Sequence, residues 1–234
     1  MKQALLIIFF AISFFTPGKA QGEEIRPLDY FNKVQYEGHG SIFLEHSDNS
    51  SVKVQTGPDA FIKYVRTEVR NETLYIWYEL TNAEDYTVAQ PRVDVYLSYQ
   101  ALEALTVFGR VRVDANEPIK GVRLDVHAEG YIDLDLKVEV DHLEAFAEGS
   151  IQMALSGKTN TQSIFLEGSG NVNAFELSSF DAKAKVDGFG SIYLSAEDAL
   201  EAIATGLSKI IYSGNPAKKV FNKTGNVSIK RRKI

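Results

Sequence analysis

The sequence predicts an all-β protein built as a solenoid of about 20 residues per coil, and three observations support this fold class. A glycine recurs at intervals of 16 to 21 residues, at Gly109, Gly130, Gly149, Gly170, Gly190 and Gly206. Apolar residues stand at even distances from each glycine and polar residues at most odd distances, which is the period-2 alternation of strands that bury one face. A glycine inside every unit, without an i, i+3, i+4 apolar stripe, argues against helices. Each unit would bury its apolar face against its neighbours.

Aligning the units on these glycines predicts which side chains stack on one another. We expect the position two residues after the glycine to form one buried ladder, with a spacing of about 4.7–4.9 Å. This position holds Ile132, Ile151, Val172 and Ile192. Three residues after the glycine, Arg112 and Asp133 occupy the same outward position in adjacent coils, so we expect them to pair.

The first 20 residues have the features of a secretory signal. Lys2 precedes an apolar run that ends at Phe15, and small residues follow at Gly18 and Ala20, so we expect cleavage after Ala20. The apolar run is shorter than the roughly 20 residues of a membrane helix, and we expect no transmembrane segment after cleavage. The predicted location is outside the cytoplasm, in the periplasm, on the outer surface or in the extracellular space. Because the chain has no cysteine, an exported form must rely on its core rather than on disulfides.

The remainder of the chain divides into four further segments. Residues 21–33 form a polar lead-in, 34–100 a first coil with an inserted hairpin, 101–229 the main coils, and 230–234 a basic tail. The antiparallel hairpin is predicted from two apolar runs, 64–70 and 74–78, that flank a turn sequence. We expect it to cap the N-terminal end of the solenoid, since an uncovered end would expose strand edges.

Several of these motifs occur together in one known family. The phrase from Phe31 to Leu44, the repeated Gly-x-Ile/Val units and the closing Tyr212-Ser-Gly-Asn-Pro216 resemble the putative auto-transporter adhesin head GIN domain family of Bacteroidetes envelope proteins. The resemblance covers most of the chain after the signal. It implies a right-handed parallel β-helix, a cell-envelope location and no established enzymatic activity. No translocating barrel follows the repeats, so auto-transport by this polypeptide is not expected, and the resemblance supplies no functional residues.

The sequence contains none of the motifs that commonly mark catalysis or cofactor binding. Its four histidines lack metal-ligand spacing, and neither a phosphate loop nor G-x-S-x-G occurs, so we expect no catalytic residue, no metal and no cofactor. A net charge of −6 weighs against nucleic acid as a partner. The acidic stretch from Asp125 to Asp135 leaves calcium binding or acid–base chemistry open. A charged, solvent-exposed face is the simpler interpretation.

Outward-facing aromatic residues are the main indication of function. Exposed rings are common on surfaces that bind sugars or proteins. Parity places seven aromatic residues at odd distances from a glycine: Phe43, Phe108, Tyr131, Phe146, Phe165, Phe189 and Tyr193. Of these, Phe43, Phe108, Phe189 and Tyr193 are the candidate ligand contacts. The competing interpretation is that corners or the hairpin cover these rings. The sequence therefore favours a non-enzymatic surface protein that binds a glycan or a surface protein through one face of the solenoid. A polysaccharide lyase or glycoside hydrolase on the same scaffold, and a structural spacer, are the alternatives.

Overall fold

The computed structural model describes residues 22–57, 59–79 and 92–232, and the predicted signal lies outside them. Within these residues the chain is all-β, with twelve strands in one mixed sheet and a single 3-10 turn. No helix in the described part is long and apolar enough to cross a membrane. The elements are β1 (Gly22–Pro27), β2 (Lys33–His46), β3 (Ser51–Thr56), the 3-10 turn Asp59–Tyr64, β4 (Val65–Arg70), β5 (Thr73–Tyr78), β6 (Val93–Tyr99), β7 (Ala104–Ser178), β8 (Asp181–Ser195), β9 (Ala199–Gly206), β10 (Lys209–Ser213), β11 (Lys218–Gly225) and β12 (Ser228–Arg231).

Parallel pairing dominates the sheet after the first strands. β2 runs parallel to the start of β7, with Lys33 opposite Ala104 and Leu44 opposite Ala115. The end of β7 runs parallel to β8, and β8 continues the sheet through parallel contacts with both β9 and β10. β11 and β12 then lie parallel to β9 and β10. From the end of β7 to β12, each strand therefore lies beside a segment about 20 residues away in the chain. The start of β7 pairs with β2 across the inserted N-terminal strands instead.

A column of touching glycines fixes how these segments align. Gly109 lies opposite Gly38, and a Cβ added to each later member would overlap the backbone of the member before it. We call this set the glycine column and the segment centred on each member a row. Its members are Gly38, Gly109, Gly130, Gly149, Gly168, Gly188, Gly206 and Gly225. Because the single long strand β7 contains four of these glycines, successive segments of β7 must lie side by side.

The predicted alignment is wrong at two positions of the glycine column. The sequence placed Gly170 and Gly190 in it, whereas the structure places Gly168 and Gly188 there. The physical reason is that both rows contain a Gly-x-Gly pair, and a shift of two residues leaves every side chain on the same face of a strand. The alternation therefore cannot distinguish the two alignments.

The expected four-residue ladder breaks for the same reason. Val172 does lie opposite Ile192, but the backbone of Ile151 lies against Gly170, which places Val172 beside Met153. All of these side chains are nevertheless buried, since the error preserves parity. The inward residues of each row form a continuous apolar core, in which a fully buried aliphatic side chain contributes roughly 1.5–3 kcal/mol.

The N-terminal strands extend the sheet on the side of β2 opposite β7. β4 and β5 pair antiparallel as a hairpin, and β5 lies parallel to the first half of β2, with Val34 opposite Leu74. β6 lies parallel to the second half of β2, followed by β3 and β1 in antiparallel order. The hairpin thus pairs edge to edge with the first row.

Candidate binding surface

The four aromatic residues predicted as ligand contacts do not form one cluster. Phe43 lies near the N-terminal end of the sheet, where its ring stacks on Tyr96 with centroids 4.8 Å apart and an interplanar angle of 20°. The two residues are register partners on β2 and β6. Lys53, opposite Tyr96 on β3, places its ammonium 4.1 Å from the Tyr96 ring centre. Phe43 is consequently half-buried in a packed pair rather than free at the surface.

Phe108 belongs to a ladder of rings that runs across three rows. Its ring centre is 5.8 Å from that of His127, which is in turn 5.0 Å from that of Phe146. These contacts leave Phe108 only partly exposed. Such offset ring pairs contribute about 0.5–1.5 kcal/mol beyond the area they bury, so packing explains much of the role of Phe108.

Phe189 is the most openly exposed of the four candidates. Its side chain is 69% exposed, and that of Leu207 is 53% exposed. Leu207 follows Gly206, which lies opposite Gly188, and its amide donates to the Gly188 carbonyl oxygen at 2.9 Å. Phe189 and Leu207 thus occupy the same outward position in adjacent rows and form a small apolar patch.

Tyr193 lies four residues further along β8, on the same outward face as Phe189. Its ring meets Phe175 edge-on at 5.4 Å, and the Lys209 ammonium lies 5.0 Å from the ring centre. The hydrogen bond from Lys209 lowers the pKa of the Tyr193 phenol below its ordinary value. Arg232 covers the Phe175 ring at 4.8 Å. Tyr193 is therefore part of a mixed aromatic and cationic cluster.

Several surface residues were not identified from the sequence. Tyr96 and Phe175 are partners of the predicted rings Phe43 and Tyr193, and Arg232 covers Phe175. Only pairing between distant strands brings them there. Phe180, 55% exposed, lies in the turn between β7 and β8, where counting residues from a glycine does not predict which way a side chain faces. In the sequence, Phe180 could have been found as an apolar ring that directly follows two serines, Ser178 and Ser179, since serine is common in turns.

At the start of the acidic stretch, Asp125 takes part in ion pairs. Asp125 pairs with Arg123 at 2.7 Å, and the same arginine reaches Glu144 in the next row at 2.9 Å. No cluster of three or more metal-ligating side chains occurs in the described residues. Asp125 and Glu144 thus share the exposed Arg123 as their ion-pair partner.

The predicted pairing of Arg112 with Asp133 is replaced by a shorter-range pair. Arg112 bonds Asp114 in its own strand, with Nε 2.8 Å from the carboxylate. The hydrogen bond to Asp114, followed by the charges of Asp114 and Asp133, raises the pKa of Arg112. The column assignment was right for these two rows, but the residue two positions along the strand is the closer partner.

Comparison with known proteins places this architecture in a family. A family model described as "Putative auto-transporter adhesin, head GIN domain" matches residues 30–216, which confirms the resemblance in the sequence. Comparison with curated protein sequences finds no match.

Solved structures share the fold at low sequence identity. A putative adhesin from Bacteroides fragilis NCTC 9343 has a TM-score of 0.83 at 20% identity, with 92% of this chain and 99% of that chain covered. A putative lipid binding protein from Parabacteroides distasonis ATCC 8503 has a TM-score of 0.70 at 19% identity, covering 91% and 97%. A putative adhesin from Parabacteroides merdae ATCC 43184 has a TM-score of 0.67 at 18% identity, covering 93% and 98%. With most of its length matched by the family model, the chain belongs to the auto-transporter adhesin head GIN domain family.

Proposed function

We propose that this chain is an exported, non-enzymatic surface protein that binds a glycan or a surface protein through outward-facing rings. The rows would close into the coils of a right-handed parallel β-helix, with the glycine column along one side. Parallel pairing of β7 with β8, and of β8 with β9 and β10, at intervals of about 20 residues supports this geometry. The predicted signal supports export, and membership of an adhesin family supports a binding role.

The observation that carries the proposal is the exposure of Phe189 on a rigid strand. β8 has ladder partners on both sides, β7 on one and β9 and β10 on the other, so little backbone entropy remains to be lost on binding. Phe189 and Leu207 offer apolar surface, while Tyr193 and Lys209 offer hydrogen-bonding groups nearby. A shallow surface of this kind binds weakly at each site and gains strength from many copies on a cell.

Alanine substitution of Phe189 and Tyr193 tests the proposal. The wild-type chain, Phe189→Ala, Tyr193→Ala and the double variant are passed over immobilised envelope glycans, host glycans and surface proteins, and the melting temperature of each is measured. Ile25→Ala is the matched control, because Ile25 is 66% exposed on β1, at the other end of the sheet. We expect both single variants to lose retention, and the double variant to lose more, at an unchanged melting temperature.

Two results would count against this function. A lower melting temperature without retention of the wild type on any surface would mean that the rings serve packing alone, as in a structural spacer. Retention that is equal in the wild type and the double variant would place binding elsewhere on the molecule.

A further inference from the structure

A groove lies on a different part of the rows from Phe189 and Tyr193. It encloses about 430 Å³, and its lining comes from five successive segments of the chain, at Lys120, Val140, Thr159, Ser179 and Glu197. Its floor consists of the buried residues Val140, Thr159 and Ser179. Five adjacent segments at the usual strand spacing give a length of about 19 Å.

The hydroxyl groups on the floor are satisfied within the protein. Thr159 Oγ1 lies 3.1 Å from the Asp141 carbonyl oxygen and 2.9 Å from that of Thr161. Ser179 Oγ donates to the Ser195 carbonyl oxygen at 2.8 Å and accepts from Gln162 Nε2 at 2.7 Å. The floor is therefore closed, and polar contact with a ligand would come from the rim.

The rim carries polar side chains that are paired between adjacent rows. Asn160 Nδ2 donates to Asp141 Oδ1 at 2.9 Å, and Lys158 Nζ lies 3.7 Å from Glu139 Oε2. The Asn160 amide and the Asp141 and Glu139 carboxylates each have a second polar atom besides the one used in the pair. The pairing restricts the rotation of these side chains, which reduces the entropy that a ligand must overcome.

Phe180 forms an apolar wall at one end of the groove. Its amide donates to the Asn160 carbonyl oxygen at 3.2 Å, and its carbonyl accepts from the amides of Glu197 at 3.1 Å and Asp198 at 2.8 Å. The backbone is thus fixed, while the side chain remains 55% exposed. An aromatic ring held in this way offers apolar contact area at a low entropic cost.

We propose that this groove binds a short neutral saccharide segment. Sugars present an apolar C–H face, which suits the Phe180 ring, and hydroxyl groups, which suit the amide and carboxylate groups on the rim. The rim carries Lys120 and Lys158 together with Glu139, Asp141 and Glu197, and this balance of charges favours a neutral ligand over a strongly charged one. The volume lies within the roughly 300–1,000 Å³ of small-ligand sites, while a protein partner commonly needs about 800 Å² on each side.

The inference rests on the proposed function for the exported location of the chain. The following experiment and the one on Phe189 and Tyr193 address separate surfaces, so failure of the groove can be distinguished from failure of the proposed function. Wild type, Phe180→Ala, Asn160→Ala, Phe180→Trp and Ile25→Ala are titrated against immobilised cello-, xylo- and manno-oligosaccharides, with oligogalacturonates as the anionic comparison. Phe180→Trp keeps an aromatic surface, and Ile25→Ala removes an exposed apolar side chain outside both proposed surfaces. Melting temperatures identify any variant that is misfolded.

We expect the wild type to bind at least one neutral oligosaccharide. Phe180→Ala and Asn160→Ala should each weaken binding by about tenfold or more, which is typical of the loss of a central contact. Phe180→Trp and Ile25→Ala should keep wild-type affinity. This pattern, at unchanged melting temperatures, supports the groove as the site.

The remaining outcomes overturn the inference in distinguishable ways. Equal binding by wild type and Phe180→Ala would exclude the groove but leave the proposed function intact. Binding only to oligogalacturonates would exclude a neutral ligand. An absence of binding to every oligosaccharide would exclude a saccharide site, and retention on surface proteins in the Phe189 and Tyr193 experiment would then still decide the proposed function.

Discussion

At the scale of single residues, the glycine column determines how closely neighbouring rows can approach. Gly130 has a φ of +117°, which a residue with a side chain rarely adopts, and a Cβ there would overlap the Gly109 carbonyl oxygen. The same conflict recurs along the column, where each glycine lies against the previous one. The absent side chains therefore serve close backbone packing rather than ligand binding.

Gly130→Ala should destabilise the protein strongly. The expected cost is about 1–3 kcal/mol for the unfavourable backbone conformation, with a further cost because the Gly109 backbone must shift. Thermal or chemical unfolding measures this loss. Gly57→Ala is the control, because a Cβ at Gly57 meets no atom within 4 Å. Equal stabilities for the two variants would contradict the close packing of the column.

Burial of Tyr99 should make the protein sensitive to alkaline conditions. Burial, and to a lesser extent the charge of Glu117, raises the pKa of the Tyr99 phenol from 10.0 to about 12. Because the folded-state pKa is the higher one, this stabilisation is complete below pH 10 and is lost as the pH rises from 10 to 12. The melting temperature should fall over that interval, and Tyr99→Phe should reduce the fall. Tyr131→Phe is the control, since its side chain is 63% exposed, and an identical fall in all three proteins would contradict the account.

The sequence predicted which side chains face outward more accurately than it predicted the residues around them. Parity along a strand identified Phe189 as exposed, because alternation is a local property of the backbone. It could not show that Tyr96 covers Phe43, since those two residues are 53 positions apart and meet only through pairing of β2 with β6. Phe180 was missed because it lies in a turn, outside the alternating segments.

At the scale of elements, contacts between side chains of adjacent rows define the surface. Phe108, His127 and Phe146 form a ring ladder across three rows of β7. His127 Nε2 in this ladder is buried without a hydrogen-bond partner among the described residues. A buried polar atom without a partner lowers the free energy of unfolding. The ladder is therefore less stable than it would be with an apolar ring at position 127.

His127→Phe should stabilise the protein. Phenylalanine removes the buried Nε2 atom and keeps the contacts with both neighbouring rings, so we expect a gain of about 1 kcal/mol. Differential scanning calorimetry at neutral pH measures the change. His142→Phe is the control, since the exposed His142 ring bonds Thr161 at 2.9 Å and its loss should bring no gain. A lower melting temperature for His127→Phe would show that the His127 nitrogen is satisfied in solution.

The alignment error also belongs to this scale. The alternating pattern predicted the strands and their buried faces, but not the choice between Gly168 and Gly170. Hydrophobic pattern alone leaves a shift of two residues undetermined. Close contact between the backbones of adjacent rows selects Gly168, because Gly168 contacts Gly149 whereas Gly170 contacts Ile151.

At the scale of the whole molecule, the predicted export and the absence of cysteine fit a chain that depends on one continuous core. Pairing edge to edge joins the rows from β1 to β12, so stability should arise mainly from contacts between neighbouring rows. Binding surfaces on such a scaffold keep their relative positions.

The predicted signal gives a direct expectation for the mature protein. Expression in a Gram-negative host with the native leader should yield a chain that begins at Gln21, because signal peptidase cleaves after small residues. Intact-mass measurement and N-terminal sequencing of the envelope and secreted fractions test this. Replacing Ala20 with a bulky residue such as Phe should leave the leader attached. Full-length protein in the cytoplasm, with Met1 intact, would contradict export.

Engineered cysteine pairs test the alignment of the rows, which decides which surface side chains are neighbours. Since the chain has no cysteine, two substitutions introduce a single possible disulfide. Ser150 and Ser169 each follow a glycine of the column, so Ser150→Cys with Ser169→Cys should cross-link readily under mild oxidation, since Cα separations of roughly 4.4–6.8 Å permit a disulfide. The alternative pair, Ser150→Cys with Asn171→Cys, should remain reduced. Preferential cross-linking of this alternative pair would contradict the glycine column and the surfaces derived from it.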